Sequence, residues 1–168
     1  MIERLKPFKT RFLVHDPLVR AAGAQALGGE SVTLEQLFEA SDLITLHCPS
    51  TPDTRRMINA RSLATMKDGV LLVNVGRGTL VDTDALIAAL RDGKVGAAGL
   101  DVTDPEPPGN DSPLLSLDNV VITSHITSAS VRAAAALRSG VVDVVVCGLR
   151  GNGLQHAVNG VSAYRSVP

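Results

Sequence analysis

Three side chains in this sequence are placed to handle an anion and a proton. Arg77 stands in Asn74-Val75-Gly76-Arg77-Gly78, directly after the apolar run Val70–Val75. Glycine on both sides permits a tight turn and close backbone approach. A guanidinium in such a turn can clamp a carboxylate or a phosphate through two parallel hydrogen bonds. A surface arginine in an ordinary turn is the competing reading, and the flanking glycines after a buried strand tilt the balance toward function. His125 follows the apolar run Asn119–Thr123 and is the best general acid/base, because imidazole titrates near neutrality. Glu106 precedes Pro107 in a loop that starts at the end of the previous strand. A carboxylate beside His125 would hold the ring and favour the imidazolium. The sequence permits that contact without requiring it; a satisfied buried histidine and a solvated acidic loop are the plain alternatives.

Further polar residues end apolar runs: Asp16, His47 and Asp101. Together with Arg77 and His125 they mark one ligand-facing edge. In a dinucleotide-binding fold an acid at the position of Asp16 bonds the adenosine ribose hydroxyls and repels a 2′-phosphate, which favours NAD over NADP. A helix cap uses the same carboxylate, and nearby Arg20 leaves the cofactor preference open. His47, Cys48 and His125 match no standard zinc spacing, and adjacent His-Cys side chains diverge on a strand, so no metal is expected. Cys48 lacks an activating constellation in its neighbourhood; both it and Cys147 read as small core hydrophobes.

The elements that must position these residues alternate along the chain. Met1–Leu5 reads as the last turns of a helix closed by Pro7, and Arg11–His15 as a short strand. Pro17 fits the first turn of a helix that runs to about Leu27, with Asp16 near its cap. Thr33 and Gln36 have capping-box spacing for a second short helix. Leu43–His47 is a strand ended by Pro49, Ser50–Thr54 a turn, and Ala60–Thr65 a helix. Val70–Val75 lacks alternation and reads as a central parallel strand buried on both faces. Asp82–Arg91 is an amphipathic helix, followed by strands at Val95–Asp101 and Asn119–Thr123 on either side of a Pro/Gly-rich loop at Thr103–Ser116. Ala129–Cys147 reads as a long, largely buried Ala/Val-rich helix, and Arg150–Pro168 as a Gly-rich, poorly ordered tail. The alternation predicts an α/β, doubly wound, mostly parallel sheet. Ligands of such sheets bind beyond the carboxyl ends of the strands. The domain reading is residues 1–147 as a partial dinucleotide-binding domain and 148–168 as a C-terminal tail.

Composition narrows the function classes. The 168 residues suffice for one ordinary domain. With 45% hydrophobic but only 2% aromatic residues, Val, Leu, Ile and Ala must fill the core. A net charge of −1 without a basic block argues against nucleic acid binding. No apolar run reaches membrane length and no signal-peptide h-region follows Met1–Arg11. Two distant cysteines in apolar contexts suit a reducing cytoplasm.

The segments SDLITLHCPSTPDTRRMIN, MKDGVLLVNVGRGTLVD, GKVGAAGLDVTDPEP and NVVITSHI closely resemble the nucleotide-binding domain of the D-isomer-specific 2-hydroxyacid dehydrogenases, from about Ile2 through Val146. RLKPF and LRGNGLQHAVN look most like the glyoxylate, hydroxypyruvate and phosphoglycerate dehydrogenase branches. The resemblance implies hydride transfer between NAD(H) and a small 2-hydroxy or 2-keto acid. It implies that Arg77 binds the substrate carboxylate and carbonyl, that His125 exchanges the proton, and that Glu106 supports His125. Asp101 would sit near the nicotinamide and Asp16 at the adenosine ribose. Cys48, Pro49 and Val75, Gly76 and Arg77 would line the cofactor groove, and a homodimer would form through this domain.

The sequence departs from the family pattern in two ways. Ser124 stands where members usually carry Pro before the histidine, and Thr127 where they usually carry Gly or Ala. No G-x-G-x-x-G is present, so the first strand, its glycine-rich loop and the substrate domain are expected to be missing. In the doubly wound order the missing strand is central. Its absence is expected to separate the strands at 11–15 and 43–47 from those at 70–75, 97–101 and 120–123. The chain by itself is then expected to bind NAD weakly and turn over little, since a helix N-terminus and backbone N–H groups for the pyrophosphate are gone. The alternative is a non-catalytic dimerisation or protein-interaction module, its open edge covered by a strand-donating partner.

Overall fold

The computed structural model describes residues 1–152. Residues Met1–His125 form one compact unit, and a second begins at Ile126. In the first unit short helices and parallel strands alternate: α1 (Ile2–Leu5), β1 (Leu13–Val14), α2 (Ala21–Ala26), β2 (Glu30–Ser31), α3 (Leu34–Ala40), β3 (Leu43–Leu46), α4 (Ala60–Thr65), β4 (Val70–Asn74), α5 (Thr83–Arg91), β5 (Val95–Leu100) and β6 (Val120–Ile122). The second unit contributes α6 (Val131–Leu149).

The parallel α/β architecture expected from the alternation is present, as two ladders. β1 pairs with β2, and β3-β4-β5-β6 form a four-stranded sheet. Every pairing is parallel. The strand at 43–46 therefore belongs with β4, where Leu43–Leu46 run beside Leu71–Asn74, and not with the strand at 11–15 as expected. The break lies between the β1–β2 pair and β3. The misplacement has a simple origin: β2 consists of two exposed residues, Glu30 and Ser31, without any apolar signal, and an unseen strand shifts the count of all that follow.

Local chemistry sets the helix ends. The Thr33 hydroxyl accepts from the Gln36 N–H at 3.2 Å while the Gln36 side chain accepts from the Thr33 N–H at 3.0 Å, the expected capping box. Asn59 and Ser62 form a second one at α4, and Asp82 caps α5 through the Ala85 N–H. Asp16 does not cap α2, whose N-cap is Arg20. Its carboxylate instead accepts the Leu18 N–H at 2.8 Å, stabilising a turn that delays the helix by several residues.

The core lies on one face of the four-stranded sheet. Ile44, Leu46, Val70, Leu72, Ala98 and Leu100 face Phe38 of α3, Leu63 of α4 and Leu86 and Leu90 of α5 in one buried cluster. The other face is open: Leu43, Leu71 and Val121 are 50%, 41% and 67% exposed. β4 is thus buried on one side only, because no described element of this unit covers the second side. α6 has no buried residue, contrary to its expected burial; Leu137, Val141 and Val145 are exposed. Of the expected disordered tail, everything beyond Asn152 lies outside the described residues.

Candidate active site

The strand ends of β4, β5 and β6 lie side by side, because β4 pairs with β5 and β5 with β6. Each releases a loop carrying one of the polar residues singled out above. The loop after β4 is held by Asn74, which is 1% exposed. Its side-chain oxygen accepts the Gly76 N–H at 3.0 Å and its amide donates to the Arg77 carbonyl at 2.9 Å. Both ends of the amide are spent on shaping the turn that presents Arg77. The two glycines are required by close approach rather than by a left-handed backbone. A Cβ on Gly76 would lie 3.0 Å from the Cys48 carbonyl, and one on Gly78 would overlap the carbonyl of Thr103. The Cys48-Pro49 segment, the Arg77 turn and the start of the loop after β5 are therefore packed together. Thr83 adds a hydrogen bond to the Asp104 carbonyl at 2.7 Å, and Thr79 one to Ser50 at 2.7 Å.

Asp101, directly after β5, is 3% exposed and accepts a hydrogen bond from the Thr123 hydroxyl at 2.5 Å. Two residues farther along, His125 adopts a left-handed backbone, φ 56°, a conformation that non-glycine residues seldom hold and that clusters at functional sites. Its Nδ1 lies 2.7 Å from Glu106 Oε1. With the carboxylate as acceptor, Nδ1 carries a proton, and Nε2 is the nitrogen that can exchange one with a ligand. The contact that the sequence permitted is made.

Asp101, Glu106 and His125 line one cavity of about 610 Å³, with Pro107, Pro108 and Ile122 supplying apolar wall and Ser124 a hydroxyl. Arg77 is not among its lining residues; the side chain is exposed and folds back so that Nη1 donates to the Gly76 carbonyl at 2.7 Å. Asp16 borders a different cavity of about 660 Å³ with His15, Ser31, Thr33 and Glu35. There the Thr33 hydroxyl and the local backbone hold the Glu35 carboxyl below its ordinary range, the backbone contribution being larger. Cys48 packs its sulfur 3.8 Å from that of Met57, and burial pushes its thiol upward. Burial lowers the His47 imidazole, with a smaller contribution from the Met1 amino group. Val75, half-buried, donates its N–H to the Leu46 carbonyl at 3.3 Å.

Two positioning residues were not singled out from the sequence, Asn74 and Thr123. Asn74 carried a signal: a polar residue ending an apolar run, two before a glycine, is an Asx-turn former. Thr123 carried none, since its partner is 22 residues away. Among the described residues no group of three or more His, Cys, Asp or Glu could hold a metal ion, and no helix is long and apolar enough to cross a membrane.

Comparison with known proteins follows the same residues. The family described as "D-isomer specific 2-hydroxyacid dehydrogenase, NAD binding domain" matches residues 1–127. The chain is 40% identical over 157 residues to D-3-phosphoglycerate dehydrogenase of Archaeoglobus fulgidus, covering 94% of this chain and 30% of that protein. It is 40% identical over 156 residues to glyoxylate reductase of Korarchaeum cryptofilum, covering 93% and 47%. Among solved structures it is similar to D-lactate dehydrogenase from Aquifex aeolicus complexed with NAD and lactic acid, with a TM-score of 0.76, 34% identity, and coverage of 90% of this chain and 50% of that one. The chain thus spans 30% to 50% of the length of these relatives.

Proposed function

The chain belongs to the D-isomer-specific 2-hydroxyacid dehydrogenase family through its NAD-binding domain, and from that premise we propose that it serves hydride transfer between NAD(H) and a small 2-hydroxy or 2-keto acid. The observation that carries the proposal is the Glu106–His125 hydrogen bond at 2.7 Å, in a cavity shared with buried Asp101 at adjacent strand ends.

The cofactor, when bound, would supply the hydride as NADH in reduction and take it up as NAD⁺ in oxidation. Asp16 suits the ribose end, where a carboxylate beside a cavity accepts from two hydroxyls. Asp101 suits the nicotinamide end, and Cys48, Pro49, Val75 and Gly76 the groove between. Arg77 binds the carboxylate of the acid after turning outward from the Gly76 carbonyl. His125 gives its Nε2 proton to the carbonyl oxygen in reduction and takes it back in oxidation. Glu106 accepts from the opposite ring nitrogen and so fixes the ring's orientation and tautomer. We assign residues 1–147 to a partial dinucleotide-binding domain and 148–168 to a C-terminal tail.

NADH absorbance in the presence of glyoxylate or hydroxypyruvate tests this directly. We expect low turnover by this chain alone, which His125→Asn lowers further, on the order of 10²–10⁴-fold, and which Glu106→Gln also lowers. Equal turnover by wild type and His125→Asn would refute the assignment. A second reading, a non-catalytic interaction module, draws on the open sheet face at Leu43, Leu71 and Val121 and the exposed apolar residues of α6. A strictly monomeric protein in analytical ultracentrifugation counts against it.

A further inference from the structure

The cavity beside His125 is lined by three side-chain hydroxyls, those of Thr103, Thr123 and Ser124. Two are committed to the protein. Thr103 donates to the Pro105 carbonyl at 2.8 Å and Thr123 to Asp101 at 2.5 Å. Glu106 is likewise engaged, by His125. Ser124 differs. It is exposed, and among the described residues neither its hydroxyl nor its peptide N–H has a hydrogen-bond partner in the protein. It sits one residue before the left-handed turn at His125, so its Cα lies within about 4 Å of that of the acid/base residue. A serine hydroxyl both donates and accepts, and Ser124 lines the same cavity as His125.

We propose that Ser124 is a ligand-binding residue of this site, its hydroxyl donating to an acceptor oxygen of the molecule held against His125. The inference rests on the dehydrogenase reading above. The acceptor is an oxygen of the 2-oxo acid or the carboxamide oxygen of the nicotinamide, which share the chemistry of a carbonyl-type acceptor. Removing the hydroxyl leaves the acid/base pair intact, because the Glu106–His125 hydrogen bond does not involve Ser124. Its loss therefore weakens binding without altering proton transfer.

Two titrations on the purified protein separate the sources: NADH alone, then oxamate, an unreactive 2-oxo acid analogue, at saturating NADH. Calorimetry gives the affinities, and the His125 imidazole resonances report occupancy. Ser124→Ala and Ser124→Gly are each expected to weaken one of the two steps about five- to tenfold, the net worth of one hydrogen bond, while Ser124→Thr stays within about twofold of wild type. A loss in the first titration assigns the bond to the carboxamide; a loss confined to the second assigns it to the acid. Wild-type affinity for both probes in Ser124→Ala and Ser124→Gly overturns the proposal and leaves the dehydrogenase reading standing. Absence of binding of either probe by wild type overturns that reading and this one with it.

Discussion

Asn74→Ala offers a direct probe of how the fold builds the site. The wild-type side chain is 1% exposed and makes two hydrogen bonds, from the Gly76 N–H at 3.0 Å and to the Arg77 carbonyl at 2.9 Å. Truncation affects them unequally. Gly76 is buried, so its N–H loses its only acceptor where water cannot replace it, a penalty of about 1–3 kcal/mol. The Arg77 carbonyl still accepts the Leu80 N–H at 3.2 Å, so losing the Asn74 amide costs it only about 0.5 kcal/mol. The missing amide atoms leave a small void that adds a few tenths. The sum is about 2–4 kcal/mol. With a urea m-value of about 2 kcal/mol/M for a domain of this size, the unfolding midpoint should fall by about 1–2 M.

The same substitution should leave a local signature. Amide exchange at Gly76 and Arg77 should accelerate more than exchange in β3 or β5, because the turn loosens before the sheet does. Asn74→Asp keeps the acceptor for Gly76 but sets a second acceptor against the Arg77 carbonyl. It should therefore also destabilise, and less so at low pH, where a protonated carboxyl can donate. A midpoint shift below about 0.3 M in Asn74→Ala, with unchanged exchange at Gly76, would show that the Asn74 bridge does not hold the Arg77 turn.

Four further outcomes can be checked. Gly78→Ala should cost more than about 3 kcal/mol in urea unfolding, since its Cβ would overlap the backbone of Thr103 and backbone moves less readily than a side chain. Thr33→Ala should cost about 1 kcal/mol by removing the α3 capping hydroxyl, read as a lower thermal midpoint. Burial raises the Cys48 thiol; its contribution to stability is then complete below the unfolded thiol value and lost as pH rises through the folded one. In a Cys147→Ser background, iodoacetamide should accordingly modify Cys48 more slowly in the folded protein than in urea at about pH 8.5. Asp68 is lowered by its hydrogen bond from Lys94 and then by that residue's charge. Its contribution is present above the unfolded value and lost as pH falls through the folded one, so Asp68→Asn should flatten the acid limb of the pH–stability curve.

What could be read from the sequence depended on how far apart the cooperating atoms lie along the chain. The Thr33/Gln36 capping box needs partners only three residues apart, and it formed as expected. The long apolar runs became strands within a residue or two of their expected limits. Burial was harder to read, because it belongs to pairs of elements. Val70–Asn74 is apolar enough to be covered twice, yet whether a second layer covers it depends on elements elsewhere in the chain. The same holds for α6, whose Ala/Val composition suits either a core or an interface. The one topological error, placing 43–47 with 11–15, came from Glu30–Ser31. Two exposed residues with no periodicity can still complete a ladder through backbone groups alone, since the pairing of Leu13 and Val14 with them asks nothing of their side chains.

The site shows the same division more sharply. That Arg77, Glu106 and His125 could do chemistry was visible in residue type and in their positions after apolar runs. That Glu106 meets His125 was not, because 19 residues separate them and their meeting depends on β5 pairing with β6. Asp101 and Thr123 are joined by the same pairing: the Thr123 N–H donates to the Leu100 carbonyl at 2.9 Å, which sets the register that carries its hydroxyl to the carboxylate. A slip of one residue in that ladder would reverse every side chain beyond it and part both pairs at once. The β5–β6 register is therefore as much a part of the proposed acid/base site as the imidazole. Substitutions that weaken it at Ala98–Val120 should loosen the Glu106–His125 and Asp101–Thr123 contacts together rather than separately.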